Sequence, residues 1–226
     1  MAVITIARQF GAGGSSVARI VAERLGADVV DKALIDEVAR RLKIEPGEVE
    51  AEDEHGLSLA DRLVRSFDPL AFAMGTGAEV TGTAALFDSH RAVRELTEQV
   101  IREVAAGGNV VIVGRAAAVL LRDLPGALHV FLCAAEPVRI GTVMARFGLD
   151  EPAARHRLRD TDAARAAYVR QTYSVDWRDP LLYDLVINTG RLGYEVAADL
   201  VLASAASLPE APASATKPPA TGTPAE

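Results

Sequence analysis

A single cysteine, Cys133, stands among the 226 residues. That excludes an internal disulfide framework and any zinc site built from several thiolates. Positive charge is also scarce. Lys and Arg number 24 against 31 Asp and Glu, a formal net charge of −7. A protein that grips nucleic acid through its phosphates carries a basic face, so no nucleic-acid partner is expected. No apolar run approaches the roughly 18 residues that a membrane-spanning helix requires, so no membrane partner is expected either. The opening residues, Met1 to Ala7, lack the basic segment of a secretory signal and read as a strand. The four histidines, His55, His90, His129 and His156, share no metal-ligand spacing, which removes the basis for a histidine metal site or hydrolase. The expectation is a soluble, cytoplasmic protein. What is present is ordinary globular material, 50% hydrophobic and 24% charged, enough to bury the core of one domain.

Five short β-rich runs stand out: 3–7, 27–31, 109–114, 128–134 and 184–189. Val-Val-Ile-Val and His-Val-Phe-Leu-Cys are nearly continuous in apolar residues, the pattern of strands covered on both faces in a parallel sheet. Helical patterns lie between them. Val17, Ile20, Val21 and Leu25 share one face, as do Val93, Leu96, Val100, Ile101 and Val104. Strands alternating with helices predict βαβ units with right-handed crossovers. Residues 45–87 do not fit this alternation. They hold an acidic run from Glu45 to Glu54 and a Gly/Thr-rich stretch at 75–83. They read either as a solvated helix with a flexible connection or as a mobile insert that closes over a ligand. Residues 151–173 are helical and rich in arginine. Residues 207–226 carry five of the eleven prolines and no aromatic residue, and read as a disordered tail after a single domain at 1–206.

The strongest local signal is Arg8-Gln-Phe-Gly11-Ala12-Gly13-Gly14-Ser15-Ser16, which follows a buried strand and opens a helix. Glycines there allow a tight turn and a close backbone approach to a ligand. A helix start adds unpaired N–H groups and a positive dipole end, and the combination suits phosphate. Ser15 or Ser16 can cap the helix, or reach a phosphate or a magnesium ion. The regular Walker A pattern would place glycine at Arg8 and lysine at Gly14; only Gly13 and Ser15 match it. Arg8, at the loop entrance, is the candidate to supply the missing charge.

Further motifs follow in order: Val111-Ile-Val-Gly-Arg115, Leu128-His-Val-Phe-Leu-Cys-Ala134, Glu136-Pro-Val-Arg139, Asp184-Leu-Val-Ile-Asn-Thr189 and Leu192-Gly-Tyr-Glu-Val196. In this series, over about residues 3–203, the chain resembles the cytidylate kinase-like family, whose members open with a strand and an R-[EQ]-F-G-x-G-G loop. The resemblance implies a three-layer α/β P-loop kinase-like fold. Its five parallel strands would run in the order 2-3-1-4-5, with an acceptor-side insert at 45–87 and a helical lid at 145–173. It implies ATP as donor, a nucleoside monophosphate as acceptor with CMP or dCMP first, and Mg²⁺. Gly11, Ala12, Gly13, Gly14, Ser15 and Ser16 would hold the donor, with Ser15 at the metal. Arg115 would hold the acceptor phosphate, and Asp31 would sit before the monophosphate region. The lid pattern offers Arg159, Asp162, Arg165 and Arg170. Of these, Arg159 and Arg165 are expected as catalytic groups with Arg8, and Asp162 as a substrate ligand. Two positions differ from the cytidylate kinases: Ala116 stands where an aspartate follows Gly-Arg, and Lys32 where a serine follows the strand-two aspartate.

Plainer readings stand beside these. Asp31 serves equally as a helix cap before Leu34, Asp162 and Arg165 as a surface ion pair, and Arg115 as an ordinary strand-end arginine. The rival functions are nucleotide binding without transfer, and transfer to a different small acceptor.

Overall fold

The computed structural model describes residues 2–31, 33–34 and 83–208. The expected insert at 45–87 lies outside the described residues except for its last five. The tail lies outside them from residue 209 onward.

The element order is β1 (Val3–Arg8), α1 (Gly14–Leu25), β2 (Asp28–Val30), α2 (Thr83–Gly107), β3 (Val110–Val113) and α3 (Ala117–Leu120). There follow β4 (Ala127–Cys133), α4 (Glu136–Phe147), α5 (Glu151–Tyr173), β5 (Leu185–Asn188) and α6 (Thr189–Ser207). The strands form one sheet in the order β2-β3-β1-β4-β5, and every pairing is parallel. Both the strand count and the order agree with expectation.

The continuous apolar runs arise because the sheet is covered on both faces. Ile4, Ile6, Val111 and Val113 face one way, onto Val17 and Val21 of α1 and Ala197 and Val201 of α6. Val3, Val110 and Ile112 face the other way, onto Leu96, Val100 and Ile101 of α2. Each of these fully buried aliphatic side chains contributes roughly 1.5–3 kcal/mol. The final helix runs through Ser207, and Leu208 still packs against the core.

The crossovers explain where a ligand can bind. The connection leaving β1 passes through α1 on one face of the sheet. The connection leaving the adjacent β3 passes through α3 on the opposite face. The two loops diverge and leave a crevice at the carboxyl ends of β1 and β3, the usual ligand position in an open α/β sheet.

One polar pair sits inside the sheet. Thr5 and His129 are register partners on β1 and β4, and the Thr5 hydroxyl lies 2.8 Å from His129 Nδ1. An unpaired polar group there would cost about 1–3 kcal/mol, so the pair must satisfy itself. Asp184 anchors the start of β5 by accepting the His129 N–H at 2.7 Å. Burial lowers the His129 pKa below 6.5, while Asp184 and a backbone hydrogen bond to Leu121 oppose the shift. Folded His129 therefore binds its proton more weakly than the unfolded chain does. As pH falls through about 6.5, the unfolded state takes up more protons and the fold loses stability. Melting temperatures measured between about pH 7.5 and 5.5 should fall toward acid in the wild type and fall less in His129→Gln. Parallel profiles would assign the acid sensitivity to other groups.

Candidate functional site

The glycine loop is tied down at nearly every residue. Gln9 donates its N–H to the Leu132 carbonyl at 2.9 Å, and its side-chain oxygen accepts from the Ala134 N–H at 3.2 Å. Ala12 spends its N–H on the Gln9 carbonyl within the turn, and its own carbonyl accepts from the Thr189 hydroxyl at 2.9 Å. Gly11 and Gly13 have φ of +80° and +76°. A Cβ at Gly13 would also lie 2.1 Å from the Tyr194 ring, so conformation and packing both require glycine. Gly13 is the N-cap of α1, and no side chain caps the helix. Ser15 is exposed and Ser16 half-buried, and neither fills the capping role open to them in the sequence. The helix start opens onto a cavity of about 370 Å³ lined by Arg8, Gly11, Gly13, Gly14, Ser15 and Ser16, with Arg146, Phe147, Arg165 and Tyr194 on its other walls. An uncapped helix start beside arginines has the chemistry that suits an anion.

Arg8 crosses the head of this cavity. A Cβ at Gly14 would lie 2.6 Å from Arg8 Cγ, and a Cβ at Gly114 would lie 2.0 Å from Arg8 Nη1. The side chain thus runs from the start of α1 to the end of β3, over two positions that lack side chains. Its pKa is lowered to about 10, first by burial, then by Arg165; Asp31 opposes this and Arg115 adds to it. Arg8 remains charged near pH 7, so the guanidinium charges of Arg8, Arg115 and Arg165 gather here.

The turn after β3 is strained. Gly114, Arg115 and Ala116 have φ of +81°, +55° and +56°. The two non-glycine residues cost about 1–2 kcal/mol each in that region. The Ala117 N–H donates to Gly114 at 3.0 Å, and the Ala116 carbonyl accepts from Val119 and Leu120 at 2.8 and 3.0 Å. Such strain marks functional turns. Here it places Arg115 on a second cavity, about 70 Å³, shared with Arg8, Ala116, Arg165, Tyr168 and Trp177.

α5 supplies the remaining groups. Arg165 donates to the Arg8 carbonyl at 2.8 Å, and burial lowers its pKa while Asp162 opposes. Asp162 is 4% exposed. One of its oxygens accepts from the Phe10 N–H at 2.8 Å and the other from Arg139 Nη1 at 2.6 Å. Removing one partner of such a buried pair costs about 3–5 kcal/mol. Asp31 accepts from the Leu34 N–H at 3.1 Å, which realises the cap, and its charge also reaches Arg8.

The structure therefore brings together Arg8, Arg115, Arg165 and the loop from Gly11 to Ser16. Arg159 lies apart, mostly exposed and 3.8 Å from Glu136; Arg170 lies apart near Asp176 at 3.9 Å. Neither lines the two cavities. Sequence reasoning missed Arg139, Tyr194 and Trp177. Arg139 carried one signal: a cation in the first turns of α4, near the positive end of the helix, needs a compensating partner.

A parallel sheet ordered 2-3-1-4-5, helices on both faces and a glycine loop after the first strand define a P-loop kinase-like α/β protein. The chain belongs to the cytidylate kinase-like family, which matches residues 3–191. Among curated proteins it is 35% identical over 98 residues to a cytidylate kinase from Methanopyrus kandleri, covering 40% of this chain and 51% of that one. It is 30% identical over 107 residues to a cytidylate kinase from Methanocaldococcus jannaschii, covering 45% and 60%. It is also 32% identical over 125 residues to a uronate isomerase from Corynebacterium glutamicum, covering 55% of this chain and 24% of that protein. The match thus spans from about a quarter to three fifths of these relatives' lengths. A solved structure of an uncharacterized protein from Eubacterium ventriosum superposes with a TM-score of 0.67 at 23% identity, covering 92% of this chain and 99% of that one. That likeness concerns the fold.

The path of Arg8 makes a direct prediction. Restoring the lysine of the regular motif, Gly14→Lys, should weaken binding of a non-hydrolysable ATP analogue by about tenfold, because the new Cβ displaces Arg8. In an Arg8→Ala background the same lysine should recover affinity. Calorimetry on the four proteins checks both; tighter binding by Gly14→Lys alone would show that Arg8 does not hold that space.

Proposed function

We propose that the protein transfers the terminal phosphoryl group of ATP to a nucleoside monophosphate, with CMP or dCMP the first candidates. The observation that carries this reading is the meeting of Arg8, Arg115 and Arg165 between the uncapped start of α1 and the end of β3. Phosphoryl transfer asks little covalent help of a protein. It needs in-line positioning and charge stabilisation on the phosphoryl oxygens.

The amides at the head of α1, with Gly11, Gly13, Gly14 and the Ser16 region around them, hold the donor phosphates. Arg115 holds the acceptor phosphate from the opposite side, where a planar fork of donors suits a two-pronged contact. Arg8 lies between the two and takes over the charge that the motif's lysine would supply. Arg165 approaches from α5 and completes the shell; this reading gives Arg159 no direct contact with the reacting atoms. Asp31 orients Arg8 by its charge.

Among the described residues no group of three or more His, Cys, Asp or Glu side chains could hold a metal. That fits Mg²⁺ in this chemistry, because it keeps several waters and binds largely through substrate phosphates. Ser15, exposed at the helix start, would be its protein ligand, and the ion would supply neutralisation of charge on the donor phosphates. Among the described residues no helix is long and apolar enough to cross a membrane. Nucleotide substrates of this kind are cytoplasmic metabolites, so the reading carries a cytoplasmic location with it.

ADP formation from Mg-ATP against CMP, dCMP, UMP, AMP and GMP, with no-acceptor controls, is the decisive assay. Turnover selective for one pyrimidine monophosphate is expected. Arg115→Lys should raise the KM for that acceptor about tenfold and leave the donor KM unchanged. Arg8→Ala should lower kcat by about 100-fold or more. Tight analogue binding with no turnover on any acceptor would replace this reading with nucleotide binding alone.

A further inference from the structure

We propose that Asp162 and Arg139 are positioning residues that clamp the main chain at Phe10, so that α5 sets the shape of the glycine loop. This rests on the phosphoryl-transfer reading for its kinetic consequences but not for its geometry.

The clamp has two jaws. Asp162 accepts the Phe10 N–H at 2.8 Å, while Arg139 lies 3.3 Å from the Phe10 carbonyl and 2.6 Å from the other Asp162 oxygen. Both residues are buried, Asp162 at 4% and Arg139 at 7% exposure. Neither lines either cavity, so a ligand in those cavities meets the loop and not the clamp. Gly11 is part of the same joint: a Cβ there would lie 2.7 Å from the Arg139 carbonyl oxygen. α4 therefore packs against the loop directly beside the clamped residue.

The same helix that carries Asp162 grips the neighbouring chain and ring. Arg165, three residues on, holds the Arg8 carbonyl at 2.8 Å. Its guanidinium lies 5.7 Å from the centre of the Phe10 ring. Phe10 stacks on Phe147 at 6.0 Å, and Arg157 of α5 covers the Phe147 ring at 3.9 Å. The main chain of residues 8 and 10 and the Phe10 ring are thus all held by α5. Any shift of α5 carries Phe10 with it and changes where Gly11, Gly13 and Gly14 present their amides. Donor binding and the position of this helix are linked through one residue.

The test uses Asp162→Asn, Arg139→Gln and the double variant, with melting curves to confirm folding. Amide hydrogen exchange at Phe10 is read on the nucleotide-free protein. Each single variant should speed that exchange by about tenfold. Each should also weaken binding of a non-hydrolysable ATP analogue by about tenfold. The acceptor KM should stay within about twofold. The double variant, whose two amides can hydrogen-bond each other, should recover part of both losses. Should either single variant fail to fold, Arg139→Lys carries the test, since it keeps the charge and loses the planar fork; faster Phe10 exchange is expected there too. Unchanged exchange in the folded variants overturns the clamp. So does a rise in acceptor KM with normal analogue binding, which would make Asp162 a substrate contact. If the wild type forms no ADP with any acceptor, the transfer reading fails, and exchange with analogue binding still decides the clamp.

Discussion

The Arg8 side chain leaves the end of β1 and lies across two positions where any Cβ would collide with it, at the head of α1 and the end of β3. That path constrains the site. Gly14 is glycine because the arginine stem passes over it, and Gly114 because the guanidinium ends against it. A lysine at position 14 would need the same space and would add a further cation to a place already holding Arg115 and Arg165. Burial and those neighbours lower the Arg8 pKa to about 10, yet the group stays charged near neutrality. A buried charge of this kind is tolerated only with partners. Among the described residues Asp31 supplies part of the compensation.

Preorganisation follows from the loop's fastenings. Donors aimed at phosphate are effective when they need no rearrangement at the moment of reaction. Bonds from β4, α5 and the first residue of α6 hold Arg8, Gln9, Phe10 and Ala12. The amides at the start of α1 are meanwhile left uncapped. The chain thus spends its side-chain hydrogen bonds on the back of the loop and keeps the front free. α5, which the sequence suggests as a lid, is bonded to the loop it covers.

The sheet was legible because strands covered on both faces write themselves as continuous apolar runs, and all five sit within one or two residues of where the pattern puts them. Their order was not in the pattern; it came with the family resemblance. The glycine loop was legible because few turns other than a phosphate loop place so many glycines between a buried strand and a helix. α5 was harder. Its buried positions are Ala154, Leu158, Asp162 and Val169, so a carboxylate occupies a place in the stripe that a hydrophobic residue would normally mark. Taking Asp162 as part of that stripe resolves the register. Arg165, three residues beyond Asp162 and seven beyond Leu158, then turns inward, while Arg159 turns to the side, toward Glu136. Arg139 was legible only as a cation in need of a partner, because the partners themselves, Phe10 and Asp162, come from 129 and 23 residues away.

The site is assembled from two faces of one sheet. The uncapped helix start belongs to the crossover on the α1 side, and Arg115 belongs to the crossover on the α3 side, since neighbouring strands send their chains in opposite directions. Residues in separate crossovers have no local reason to meet. Two features join them. The left-handed turn at Gly114, Arg115 and Ala116 carries the chain from β3 straight into α3, at a cost of about 2–4 kcal/mol for its two non-glycine residues. The Arg8 side chain then spans the gap between the halves. A strained turn with an alanine at its last position does not arise from helix or strand propensity. It persists because Gly114 must lie bare beneath the guanidinium, and the chain must still reach α3 within two residues.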